Sequence, residues 1–67
     1  MNIIPQNGRW LVRMDWPEAH ETYEDGSPVE HAISAVAERH DLAEEHLRSS
    51  VVRAHDGGMT VVVVSDG

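Results

Sequence analysis

The chain contains no cysteine, no lysine and no phenylalanine, and besides its five histidines only two tryptophans and one tyrosine carry aromatic rings. Without cysteine there are no disulfide staples, no thiolate ligands and no thiol nucleophile. Long apolar stretches are missing too. The longest wholly apolar run, residues 61–64, falls far short of the roughly 20 residues that span a bilayer. Residues 1–5 lack the basic segment and extended apolar core of a secretory leader. A cytoplasmic protein with no membrane contact is therefore expected.

Catalytic groupings are equally sparse. No serine sits in a Gly-x-Ser-x-Gly elbow, and Gly57-Gly58 lacks the flanking pattern of a phosphate loop. The same pair can be read as the end of a double-glycine leader, but the regular alternation that follows favours a hairpin. A non-enzyme without a cofactor is the expectation. With 67 residues there is room for a single domain. A chain of this size buries only about 60% of the surface its unfolded form exposes. One such core rarely contributes more than roughly 3–5 kcal/mol, so the fold has little stability in reserve.

Charge is plentiful and one-sided. Twelve acids face five arginines, for a formal net charge of −7. Residues 1–16 sum to +1, residues 17–27 to −4, residues 28–48 to −3 and residues 49–67 to −1. Nucleic-acid affinity rests largely on counterion release by Lys and Arg. Direct nucleic-acid binding is disfavoured by this balance, and an anionic membrane surface is disfavoured for the same reason.

Hydrophobic periodicity supplies the elements. Residues 9–16 alternate, with Trp10, Val12, Met14 and Trp16 on one face and Arg9, Leu11, Arg13 and Asp15 on the other. That is a half-buried strand. Asn7-Gly8 predicts a tight hairpin turn into it, with residues 2–6 as a short strand that Pro5 places at a sheet edge. The acidic segment 17–26 reads mainly as loop. Ser27, Pro28 and Glu30 form a capping box around a proline at the first helical position. Val29, Ala32, Ile33, Val36, Ala37 and His40 then recur at helical spacing. Asp41 and Glu44 suggest a second short helix through about Arg48. Residues 50–55 and 59–65 are β-branched runs joined by Asp56-Gly57-Gly58, a hairpin. The fold predicted is α+β: a three- or four-stranded antiparallel sheet in the order (β)βα(α)ββ, one main helix packed on one face, and the last strand central.

One helical layer covers one face of a sheet. The opposite face should expose Leu11, one valine set of the final strand (Val61 and Val63, or Val62 and Val64) and Val51. An uncovered patch of this sort usually marks a contact surface. Leu11, Val61 and Val63 are taken as partner-binding, together with Glu18, Glu21, Glu24 and Asp25, whose field suits a protein with a basic surface. The leading reading is a small, acidic, non-catalytic protein-binding module, an inhibitor or accessory subunit of the kind phage and mobile elements encode. Two alternatives stand beside it. One is a metal- or pH-responsive regulator using His20, Glu21 and Glu24, although the sequence His20-Glu21-Thr22-Tyr23-Glu24 lacks the second imidazole of the His-Glu-x-x-His zinc motif. The other is a structural homodimer. His40 is expected to be partly buried at the helix end, and His31 and His46 to be exposed.

Overall fold

Residues 1–66 are described by the computed structural model. Strand β1 (Asn2–Gln6) turns at Asn7-Gly8 into β2 (Arg9–Asp15), and both turn residues adopt positive φ, 41° and 82°. Helix α1 (Trp16–Thr22) and a 3₁₀ turn (Tyr23–Asp25) lead to the main helix α2 (Pro28–His40). A 3₁₀ turn (Glu44–His46) delivers the chain into β3 (Leu47–His55), which hairpins into β4 (Gly58–Ser65). All pairings are antiparallel, and the sheet runs β1-β2-β4-β3. The predicted α+β architecture is the one observed, with β1 at one edge and β4 inside.

Local chemistry accounts for the boundaries. Ser27 Oγ accepts from the Glu30 amide at 3.2 Å, and Pro28 opens α2 where its missing N–H is not needed. The helix stops at Asp41, which takes a left-handed conformation (φ 54°) and hands its amide to the Ala37 carbonyl. Residues 17–22, expected as loop, are helical, and Trp16, expected to end the strand, opens that helix. Asp15 caps them, accepting the Glu18 amide on Oδ1 at 2.8 Å, and Pro17 sits in the first turn. The same residue thus ends a strand and starts a helix. The expected second helix near residue 44 is only the 3₁₀ turn, and Leu47 already belongs to β3.

The core lies between the helices and one sheet face. Val12, Met14, Met59, Val61, Val63 and Leu47 pack against Ala32, Val36 and Ala37 of α2 and Ala19 of α1. Trp10 joins this cluster half-buried. Trp16 does not: it opens α1 and is 38% exposed, because the strand ends one residue before it. Gly58 lies in the tightest backbone approach, since a Cβ there would come within 2.1 Å of the Met14 carbonyl oxygen. Gly57 has φ 86° and open space around its would-be Cβ. Gly58→Ala is therefore expected to lower stability by about 3 kcal/mol, the upper end of what overpacking costs, through forced separation of β2 and β4. Gly57→Ala should cost only the left-handed penalty of about 1–2 kcal/mol. Urea unfolding of the two variants distinguishes them, and equal costs would show that β2 and β4 have room for a methyl group at position 58.

Candidate functional site

The face of the sheet turned away from the helices is built row by row from strand pairing. Ile4 pairs with Leu11, Leu11 with Val62, and Val62 with Val51. One apolar row thus crosses all four strands. The row on one side is Gln6, Arg9, Val64 and Arg48, and the row on the other is Asn2, Arg13, Thr60 and Arg53. Side chains alternate between faces along a strand, so these rows share the open face. Ile4, Leu11, Val62, Val51, Arg9, Arg13 and Arg53 line one shallow trough.

Four of the five arginines therefore stand on one surface of a protein with net charge −7. Arg48 donates from Nε to Asp66 Oδ1 at 2.8 Å, an exposed pair. Arg9, Arg13 and Arg53 have no ion pair among the described residues. The acid nearest to them in register, Asp15, is engaged in capping α1. Arg13 also borders a cleft at the strand ends that holds Asp15, Glu18 and Asp56. Burial along the apolar row is graded. Val62 is 9% exposed, Ile4 and Leu11 are intermediate, and Val51, on the edge strand, is 41% exposed. Arginine stems lie over such rows with their heads in water, so the trough is apolar at its floor and cationic at its rims.

Nine of the twelve acids fall between residues 18 and 45, in the helical layer and its connections. Glu18, Glu21 and Glu24 line one cleft with Met1, Thr22 and His31. Glu18 receives the N-terminal ammonium group as an ion pair. Asp25 contributes its backbone carbonyl, which lies 3.0 Å from His31 Nε2. His20 is not part of that cleft; its ring stands 6.4 Å from the ring of Trp16. Among the described residues, no group of three His, Asp or Glu side chains is placed to hold a metal ion. His40, expected to be partly buried, is exposed, with its ring 5.4 Å from that of Trp10. His31 is intermediate and His46 exposed.

Two of the sequence-predicted contact residues belong elsewhere. Val61 and Val63 are 0% exposed and sit in the core. Their partners in β2 are Val12 and Trp10, which already face the helices, so pairing obliges them to do the same. Val62 and Val64 occupy the open face instead, beside Leu11, which is where the sequence places it. A signal for the correct set was present: Thr60 shares its face with Val62 and Val64, whereas Met59 shares its face with Val61 and Val63. Net charge along the chain does not reveal the arginine rows, which come together only across the sheet. Among the described residues no helix is long and apolar enough to cross a membrane. No family model, curated protein or solved structure matches the chain at significant similarity.

The placement of the two valine sets is open to direct measurement. Val51→Glu should change unfolding free energy by no more than about 0.5 kcal/mol, as exposed substitutions do. Val63→Glu, which buries an unpaired carboxylate, should abolish cooperative unfolding of so small a domain. If both variants unfold alike, the assignment of faces is wrong.

Proposed function

We propose that the chain is a non-catalytic protein-binding module, an accessory or inhibitory subunit that meets its partner through the open face of the sheet. The observation that carries this reading is the apolar row of Ile4, Leu11, Val62 and Val51 held between two arginine rows. An apolar floor with a charged rim is the layout of protein interfaces, where the centre excludes water and the border sets specificity. The trough is shallow, and its one hydroxyl–imidazole contact, Thr60 Oγ1 with His55 Nε2 at 3.0 Å, is exposed to water, so it suits a macromolecular surface better than a small substrate. The acidic cleft of Glu18, Glu21 and Glu24 lies on the helical side. In this reading it sets the polarity of the molecule and leaves the anchoring contacts to the sheet.

Affinity capture from cells that naturally express the chain tests the assignment. Leu11→Glu and Val51→Glu, both outside the core, should each abolish recovery of the partner that the unaltered chain captures. The triple change of Glu18, Glu21 and Glu24 to glutamine should leave recovery within about twofold, since exposed charges of this kind contribute little to binding. The reverse pattern would move the binding role from the sheet to the acidic segment.

A further inference from the structure

We infer that the open face takes an acidic amphipathic segment of another protein, with its apolar side chains on Ile4, Leu11, Val62 and Val51 and its carboxylates on Arg9, Arg13 and Arg53. This rests on the protein-binding reading above and adds the partner's chemistry to it. The argument is one of charge and spacing. Arg9 and Arg13 stand four residues apart on β2, about 14 Å at 3.4 Å per residue. Arg48 and Arg53 stand opposite them, two strands away, so the arginines mark the corners of a corridor whose floor is the apolar row. Across four strands that row is roughly 14 Å long. A helix of 10–12 Å diameter fits such a corridor, and about ten residues of it cover the row. An amphipathic helix offers an apolar stripe with polar residues along both margins, and glutamates at those margins would reach arginines on both sides. Arginine suits the role through its fork of donors, which pairs with a carboxylate at two points. Three of these guanidinium groups have no carboxylate of their own chain among the described residues, which leaves that valence to a partner.

Two other occupants fit less well. A second copy placed face to face would bring arginine rows against arginine rows, since no acid lies within the trough, and like charges opposed across an interface suppress association. A nucleic-acid strand would find phosphate partners but little stacking platform, because His55 is the one ring that lines the trough and single-strand binding draws on the stacking of successive bases. It would also leave the apolar row without apolar company. Any strand extending past the face would then meet the acids of the strand ends and helical layer.

The test uses the whole chain and follows its backbone amide resonances during titration with synthetic peptides. One peptide, of about 14 residues, carries leucines at helical spacing with glutamates along both margins. Its analogue has glutamine at every glutamate position, and an oligothymidylate of about 15 nucleotides serves as the nucleic-acid probe. The glutamate peptide is expected to shift Leu11, Val51 and Val62, to bind at least tenfold more tightly than the glutamine analogue, and to weaken as salt rises. The double variant Arg13→Gln/Arg53→Gln, with both changes at the surface, should weaken it by about tenfold. Equal binding of the glutamine analogue at the same residues would overturn the acidic-partner inference and leave the protein-binding face standing. Tighter binding of the oligothymidylate there would overturn both. Concentration-dependent shifts of those residues without any peptide would assign the face to a second copy, and no shift with either peptide up to about 1 mM would overturn the inference.

Discussion

Strand β4 lies between two other strands and is apolar on both faces, yet the helices reach only one of them. Most of the molecule follows from that constraint. Val61 and Val63 turn toward Val36 and Ala32 and are fully buried, so Val62 and Val64 must turn the other way. Because side chains alternate with a period of two, slipping the register by one residue would exchange the two sets. It would bring Thr60 into the core and expose Met59. The pairing of Val12 with Val61, both at zero exposure, therefore fixes the composition of the outer face as firmly as it fixes the inner one.

The outer face that results is a hazard for a small protein. A flat apolar row invites aggregation, and a long edge strand such as β3 invites pairing with another chain. Three features answer these risks. Arginines border the row on both sides, so two copies repel when the faces approach. At the edge, β3 carries a bulge between Ser49 and Val51, which breaks the regular hydrogen-bonding template that a neighbouring strand would need. Pro5 does the same for β1 at the opposite edge. A surface guarded against itself while keeping its apolar floor is more consistent with a specific partner than with passive solvation.

Much of the fold was legible because local and global signals agree. The capping box at Ser27, the two glycine turns and the two-sided character of residues 59–64 each named an element that the structure contains. What the sequence concealed has identifiable physical causes. Residues 17–22 read as loop because Gly26 and a dense run of acids obscure a helix whose cap, Asp15, is also the last residue of a strand. Trp16 was assigned by period to the core, but the strand ends before it. The arginine surface was hidden by the bulge. By simple alternation, Arg48 and Arg53 fall on opposite faces of β3, and only the extra residue at Ser50 returns Arg48 to the side of Val51 and Arg53. A single irregular residue thus separates a scattered set of cations from an organised one.

The charge balance that disfavoured anionic partners is a property of the whole chain, whereas binding is a property of a surface. The molecule measures about 17 Å along its shortest axis, and screening at physiological salt sets in over about 8 Å. A carboxylate arriving at the trough therefore responds mainly to Arg9, Arg13 and Arg53, because most acids of the helical layer lie on the far side of the sheet, and Asp15, Glu18 and Asp56 approach only the Arg13 end. At low ionic strength the screening length grows to tens of ångströms, and the net −7 acts on the same carboxylate at a distance. Salt consequently has two opposed effects on an acidic partner. It relieves the long-range repulsion that slows approach, and it weakens the contacts made on arrival. In the proposed binding mode, such a surface would favour acidic groups that can come close, and the apolar row between the arginines would decide which segments do so.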